Sequence, residues 1–588
     1  MNGVHLSFPA QELSACVERA LSTLLARRNP AGYWEGRLSS SPLATAVSLC
    51  ALDDGEISTE RRAKSGSYLA HTQNPDGGWG DTDISRSNLA ATLLTLGADA
   101  LHPFLEANAR TNANQYVEKL GGLNDGLRRV YGKDLTFQVP IRMVAAYAGL
   151  KRWGDVDALP FELALAPRSI MGALRLPVVS YALPALVCVG LSRHVKAPSW
   201  FPPLRWLRNS VTDRALDAIL KMQPESGGYL EATPITAFCR IGLKAAGLGD
   251  HPVARNAGKF LIATQREDGS WPVEVNLSVW NTTRAIDALA AGGLLETALS
   301  PQERATTRDW ILAQQCQSRS VYSDTQPGGW GWNHLTGSVP DVDDTSVAII
   351  ALRHLGVPVD HPALQKSREW LLALQNSNGG WPTFCRGWEK LPFDCSAPDL
   401  TAHALRALKV MRNGNDTAPI QAAVCDGWNY MQRTQRGDGS FAPLWFGSES
   451  AADHLNSLYG TTHAMLACTG MRITDGVRQR AEAWLLSVQN PDGGFGGCAG
   501  APSTAEETGL ALRAYCSLGY TRDVPECQRA ARWLIEHQRA DGSWDPAPIG
   551  FYFAVLWYYE ESYPLMYALG GLSALARTRA KVEAVSAA

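Results

Sequence analysis

Three carboxylates fall within four positions in VPDVDDTSVA, Val339 to Ala348: Asp341, Asp343 and Asp344. If the site is even partly buried, each added negative charge raises the pKa of its neighbours, and one proton is retained. The cluster could be an acid ready to donate or a nest for a divalent cation. It could equally be a helix start, with Asp343 or Asp344 before Thr345 no more than an N-cap. A second pair, Asp399 and His403 in PDLTAHAL, is four residues apart. On a helix that spacing shares one face, so the carboxylate can orient the imidazole and leave its other ring nitrogen for a further carboxylate. A lone histidine is more often structural; one oriented by an Asp is a candidate partner for the acid.

An internal repeat could bring such distant residues together. A Gln, a few polar residues, Gly-Gly or Gly-Ser and an aromatic recur, ending at Trp34 (a degenerate copy without the Gln), Trp79, Tyr229, Trp271, Trp330, Trp381, Phe441, Phe495 and Trp544. From Gln223 onward the glutamines are Gln265, Gln326, Gln375, Gln435, Gln489 and Gln538, at intervals that fit a helix pair with its connections. An amphipathic run such as AEAWLLSVQ precedes most of them, and a more apolar one such as TGLALRAYCSLG follows. Closed on itself, such an array is all-α, with amphipathic helices outside and apolar ones inside. The Gln and the aromatic would tie each Gly turn to its neighbour. The pattern predicts two (α/α) helical toroids, a double α-barrel, over residues 13–293 and 294–588, with residues 1–12 packing back onto the second. Inner-helix starts converge on a lumen. Trp280 in LSVWNTT, the acids at 341–344, Asp399, His403 and Tyr459 in LYGTTH would then line one cavity.

Composition narrows the classes. The 588 residues, 45% hydrophobic, suffice for sizeable cores, and the repeats account for 19 Trp and 53 Gly. A net charge of -3 leaves no footprint for nucleic acid. The 12 cysteines are scattered without a CxxC pair, as expected of reduced thiols rather than a disulfide or zinc framework. The N-terminus lacks the basic start and apolar core of a signal peptide, so the expected side is cytoplasmic. The longest apolar stretch, Leu176 to Leu191, is short for a span and carries Pro177 and Pro184, but could lie in a bilayer surface.

The repeats resemble the QW motifs of the squalene-hopene cyclase and oxidosqualene cyclase family. DVDDT at Asp341 to Thr345 is similar to the DxDDTA acid motif of its bacterial squalene branch. GKDLTFQVPI, DGSWPVEVNLSVWNTT, GGWGW, DLTAH and LYGT extend the resemblance over nearly the whole chain. It implies a class II terpene cyclase, an isomerase that protonates an alkene of a linear isoprenoid, squalene above all, and forms a hopene- or hopanol-type triterpene. By the same resemblance Asp343 is the proton donor and Asp341 and Asp344 set its acidity. His403 anchors the acid and, as an imidazolium, would favour the spent carboxylate; Tyr459 holds a water for reprotonation. Trp280, Trp332, Phe384 and Trp445 would line the cavity, with Tyr552 and Tyr559 near them. No cofactor and no metal are implied. The family places a membrane-dipping segment at Leu176 to Leu191, which implies a peripheral, monotopic protein on the cytoplasmic side of a membrane, and it suggests a homodimer. The physics agrees: an unactivated alkene is a very weak base, so the acid needs a dry site, and aromatic faces supply negative potential without a nucleophile.

Several positions depart from the family pattern. The tail from Ser543 to Pro564 lacks a Gly-Phe-Pro segment and has Leu556 at a tyrosine position; a cavity tryptophan is replaced near Ala173. Asn281 follows Trp280 where Asp is usual, and Ser346 follows DVDDT where Ala is usual. These lie where ring number and quenching are governed, so another polyprenyl or a meroterpenoid substrate stays open. Two readings from other classes are a zinc protein prenyltransferase β-subunit-like toroid, which has no use for the acid cluster, and a catalytically dead scaffold.

Overall fold

Each repeat turn ties three helices together through main-chain carbonyls and one threonine. In the copy ending at Trp381, the Gln375 amide donates to Gly379 O of its own turn (2.8 Å) and to Ala423 O of the next outer helix, Ala418–Thr434 (2.8 Å). The Trp381 indole donates to Leu371 O at 2.8 Å, near the end of the preceding outer helix Pro362–Leu374, where carbonyls lack helical partners. The Trp381 main-chain N–H donates to Thr401 Oγ1 of the following inner helix, Pro398–Val410, at 3.1 Å. Gly379 has φ 88°, and a Cβ there would lie 2.4 Å from Asp426 O, so the turn can approach the outer helix only as glycine. The same bridge runs from Gln73 to Ala109 O, Gln223 to Val253 O, Gln435 to Val477 O and Gln489 to Glu526 O.

The computed structural model describes residues 10–132, 134–165, 183–387, 393–412, 418–469, 475–551 and 555–586. Inner helices of the first ring are α1 (Pro42–Ala51), α2 (Leu89–Leu101), α3 (Leu135–Tyr147), α4 (Leu183–Lys196) and α5 (Thr233–Ala245). Those of the second are α6 (Ser278–Ala291), α7 (Val342–His354), α8 (Pro398–Val410), α9 (Ser457–Cys468), α10 (Ala505–Ser517) and α11 (Tyr563–Ser586). Each packs on the next, and α5 returns to α1 and α11 to α6, so both rings close. The inner helices are buried nearly all round, as in α1, where every residue is buried.

Two glutamines close the outer layers. Gln265 reaches Arg61 O at 3.2 Å, joining the last outer helix of the first ring to Thr59–His71. Gln538 reaches Cys16 O at 3.0 Å in the N-terminal helix Ala10–Ala26. In the degenerate first copy Arg28 stands where the Gln would and donates to Glu303 O at 3.0 Å in Pro301–Ala313. Both Ala10–Ala26 and α6 precede residue 294 yet pack in the second ring, against α11.

The fifth copy differs from expectation. Its working glutamine is Gln315, which donates to Gly328 O (2.9 Å) and Ala363 O (2.8 Å), not Gln326. Extra chain between Cys316 and Gly328 separates the helix end from the turn, and the Trp330 indole correspondingly reaches back to Ile311 O at 2.7 Å. A small antiparallel sheet also joins the helices: β1 (Phe446–Ser448), β2 (Ile549–Phe551) and β3 (Leu556–Tyr558), with Phe446 opposite Phe551. Aromatic and branched residues favour strand over helix in this tail.

Gln315→Ala removes two hydrogen bonds to buried carbonyls and is expected to cost about 1–3 kcal/mol, whereas Gln326→Ala stays within about 0.5 kcal/mol. Urea midpoints at unchanged slope measure both; equal effects would contradict the register.

Candidate active site

The turn at Trp330 sets the head of α7. Asp341 N donates to Trp330 O (3.0 Å) and Trp330 N donates to Thr345 Oγ1 (2.9 Å), which fixes where the helix begins. Asp341 is the N-cap, accepting Asp344 N at 2.7 Å. The capping acid is therefore Asp341 rather than Asp343 or Asp344. Asp341 and Thr345 are framework, and their fixed places leave Asp343 two residues from the threonine, on the opposite side of the helix.

Asp343 is 8% exposed, its Oδ1 has no hydrogen-bond partner, and His403 Nε2 stands 4.0 Å away. Burial holds its carboxyl well above the usual carboxylate range; the negative charges of Asp399 and Asp344 push further up, and Arg284 pulls down. Burial raises Asp344 to about 7, against a hydrogen bond with Asp341 and the charge of Arg284. Asp341 is likewise held high by burial, then by Asp344 and Asp343. All three acids are thus held above the usual carboxylate range, the direction their crowding predicts.

Asp399 and His403 lie on one face of α8, but the carboxylate does not orient the imidazole. Both Asp399 oxygens accept the Leu444 N–H at 3.1 Å, and His403 Nδ1 has no partner. Helical side chains lean toward the N-terminus, which carries Asp399 to the Leu444 amide and away from the histidine. Asp399 acts on Asp343 instead, as the foremost charge raising its pKa. Nor is His403 an imidazolium: burial, then Arg284 and Arg406, hold its pKa well below the usual value. Its Nε2 lies 3.4 Å from the hydroxyl of Tyr459, and the main-chain N–H of Tyr459 donates to Asn456 Oδ1 at 3.0 Å.

Aromatic faces surround this acid group. Trp280 meets the His403 ring edge-on at 6.2 Å and stacks on Phe446 at 5.9 Å; Phe446 packs on Tyr459 at 4.3 Å. Trp332, Phe384 and Trp445 form an adjoining wall, with Phe384 6.3 Å from Trp332 and 5.8 Å from Trp445. The wall is tied to the acid helix through Thr383, whose carbonyl takes Val342 N (3.0 Å) and whose hydroxyl takes the Trp445 indole (2.9 Å). Phe393 and Phe551 complete it, 5.1 and 4.8 Å from Trp445.

Sequence reasoning missed Phe446, Phe551, His463 and Arg284. Arg284 lies 4.9 Å from the Trp280 ring centre and 3.4 Å from Asp287, which also takes both terminal nitrogens of Arg513 (2.8 and 2.7 Å). The signal for Arg284 and His463 is the repeat register: Trp280, Asp343, Asp399 and Tyr459 stand two residues before the inner-helix threonines Thr282, Thr345, Thr401 and Thr461, and Arg284, His403 and His463 stand two after; Phe446 and Phe551, on strands, lie outside it. TAEET at 504–508 matches DVDDT in this register and places Glu506, buried and held well above the usual carboxylate range by burial, at the position of Asp343.

Three further expectations concern the tail and the apolar stretch. Tyr552 lies outside the described residues. The structure does not bring Tyr559 to the wall: its main chain pairs with Ser39 (2.8 Å), which sends its hydroxyl to Asp83 Oδ1 at 3.0 Å. Of Leu176 to Leu191, residues 176–182 are outside the described residues, and Val187 to Leu191 are buried within the first ring. The exposed apolar surface lies just beyond, at Trp200 (89%), Phe201, Trp206 (73%) and Leu207. Among the described residues no helix is long and apolar enough to cross a membrane.

Comparison with known proteins accords with this arrangement. Residues 276–574 match the Squalene-hopene cyclase C-terminal domain, and residues 17–182 the Squalene-hopene cyclase N-terminal domain. A squalene–hopene cyclase of Bradyrhizobium diazoefficiens is 26% identical over 83% of this chain and 83% of its own. That of Alicyclobacillus acidocaldarius subsp. acidocaldarius is 26% identical over 90% of this chain and 92% of its own. Among solved structures, ent-copalyl diphosphate synthase from Streptomyces platensis superposes with a TM-score of 0.56 at 20% identity, covering 96% of this chain and 99% of that one, and so shares the fold. The match to the C-terminal domain alone spans half of the sequence, and the chain belongs to the squalene-hopene cyclase family.

Proposed function

We propose that this terpene cyclase starts polycyclisation by passing the Asp343 proton to the terminal alkene of a linear isoprenoid, with squalene the first candidate. The observation that carries the reading is a buried carboxylic acid with an unpartnered Oδ1, kept protonated and set beside aromatic faces. The proton moves to one alkene carbon and leaves a tertiary cation on the other. Successive double bonds attack it and close rings; loss of a proton from the last cation gives a hopene-type isomer of the substrate, and capture of that cation by water, with loss of a proton from the added water, gives the hopanol type. Trp280, Phe446 and the Trp332, Phe384 and Trp445 wall offer π faces to the travelling charge and no lone pair strong enough to trap it. Arg284 stabilises the carboxylate that donation leaves behind. Reprotonation needs a proton from solvent: His403, neutral at rest, lies 4.0 Å from that carboxylate and 3.4 Å from Tyr459, and once it has taken a proton up it is placed to pass one to Asp343.

The relatives named as squalene–hopene cyclases support squalene as substrate, and hopene- or hopanol-type triterpenes are the products proposed. Incubation with squalene and mass analysis of the extract should show cyclic isomers, and Asp343→Asn should lower their rate by about 10²- to 10⁴-fold or more with the fold intact. Unchanged turnover in that variant would remove Asp343 from the chemistry; turnover of other polyprenyl chains alone would remove squalene.

The acid must be protonated to act, so the rate should fall as pH rises through the titration of the cluster, near 7 for Asp344, with Asp343 held well above the usual carboxylate range. The stability sign is the same. With pKa values raised on folding, the folded state binds more protons than the unfolded chain, and stability falls as pH rises from about 4 through the folded values. Asp344→Asn should flatten the loss of stability between about pH 5 and 8, followed by urea midpoints. A rate that climbs with pH over that range would require an ionised Asp343 and contradict the mechanism.

A water-insoluble substrate favours residence on the cytoplasmic face of a membrane, entered from the side. Trp200, Phe201, Trp206 and Leu207, flanked by Lys196 and Arg205, have the composition of an interfacial patch. Trp200→Ser with Trp206→Ser should shift the protein from pelleted phosphatidylcholine vesicles to the supernatant while leaving its helical circular dichroism unchanged. Equal pelleting of parent and variant would remove the patch from membrane contact.

A further inference from the structure

The acids crowd the N-terminal ends of the second ring's inner helices; the C-terminal ends of the same helices surround a cavity of about 250 Å³ to which all six contribute. Its charged lining is Asp287, Arg406, Lys409, Arg513 and Arg577. Cations at helix C-termini ordinarily bind the last carbonyls, and Lys409 does so, donating to Thr469 O. The arginines do not. Arg513 spends its two terminal nitrogens on Asp287, Arg406 Nη2 stands 3.6 Å from that same carboxylate, and Arg284 reaches it from the acid side at 3.4 Å. Three guanidinium groups therefore converge on one carboxylate. Arg406 Nη1 and Arg284 Nε and Nη2 are buried with no hydrogen-bond partner. Buried charges are ordinarily matched, and here Asp287 answers only one of three.

We propose that this cavity binds an oxyanion of the phosphoryl class, held by the guanidinium of Arg406, whose Nη1 is unpartnered, beside the Asp287-bound Arg513 and with Lys409 and Arg577 at the mouth. A planar guanidinium presents paired N–H donors at the spacing of phosphoryl oxygens, and the cavity is several times the ~30 Å³ of a water molecule. Asp287 lines the same cavity, but its charge is already met bidentately by Arg513. The ligand could be free phosphate or diphosphate, or the headgroup of an anionic lipid, which present the same oxygens.

Calorimetric titration of the full chain with pyrophosphate, against sodium chloride of equal ionic strength, tests the site. Saturable heat at one per chain is expected, weakened at least about tenfold in Arg406→Gln. Arg577→Gln, at an exposed rim position that leaves the buried cluster intact, should weaken it less but measurably. In parallel, vesicles of phosphatidic acid in phosphatidylcholine are pelleted with the protein. Pyrophosphate-sensitive pelleting that Arg406→Gln loses supports the cavity with lipid as the source; calorimetric binding without it supports a soluble anion. No saturable heat together with pyrophosphate-insensitive pelleting, or equal affinity in both folded variants, overturns the proposal.

Discussion

Both rings depend on one repeated hydrogen bond, from the main-chain N–H of a turn aromatic to a threonine hydroxyl inside the next inner helix. It runs from Trp271 to Thr45, Trp79 to Thr92, Trp34 to Thr282, Trp330 to Thr345, Trp381 to Thr401, Phe441 to Thr461 and Phe495 to Thr508, at 2.9 to 3.1 Å. Each bond is worth only about 1 kcal/mol net, but breaking one would strand a buried N–H at greater cost. Its larger effect is geometric. It fixes the rotation of each inner helix, and at 100° per residue the positions two before and two after the threonine turn together to the opposite side. Asp343, Asp399, His403, Trp280 and Tyr459 gather at one place because the four turns that set their helices share a register.

That register explains what could be read in advance and what could not. The Gln and aromatic pattern was legible because each copy is local, with helix, turn and helix in one stretch. Which copies close the rings was not, since Gln265 and Gln538 look like every other copy and only three-dimensional adjacency reveals that they bond Arg61 and Cys16. Gln326 misled because it is the glutamine next before Trp330, although it stands four residues ahead of it rather than the six of the other copies; the loop after Cys316 had moved the working amide back to Gln315. The acid cluster was legible from crowding alone. The pairing of Asp399 with His403 was not, because helical spacing gives a shared face but says nothing of the Leu444 amide that captures the carboxylate. Arg284 and His463 read as ordinary residues of apolar helices until the threonine count is applied. Tyr559 and the apolar stretch before Leu191 were placed by resemblance, and there the chain itself differs: a short sheet redirects the tail, and exposed tryptophans follow a buried helix.

The same geometry sorts charge along the axis of the second ring. Five of its six inner helices begin where Trp280, Asp343, Asp399, Tyr459 and Glu506 gather, so partial positive charge from helix dipoles accumulates there; Arg406 and Arg513 lie toward the opposite ends. Dipoles at the acid end favour ionised carboxylates, by about 0.3–1 kcal/mol for each near helix, less than one pKa unit apiece. Desolvation of a fully buried carboxyl reaches several units in the other direction. Burial therefore decides the resting state of Asp343, with Asp399 and Asp344 adding to it and Arg284 moderating it. This ordering has a chemical consequence. A carboxyl governed mainly by desolvation is protonated while the cavity is dry and the site uncharged, yet once a cation forms nearby the conjugate base gains a positive partner that the resting enzyme lacked. On the proposed mechanism, the environment that keeps the proton on Asp343 before reaction thus stops opposing its loss as charge develops, and Arg284, held in place by Asp287, remains to stabilise the carboxylate after the cation has moved down the chain.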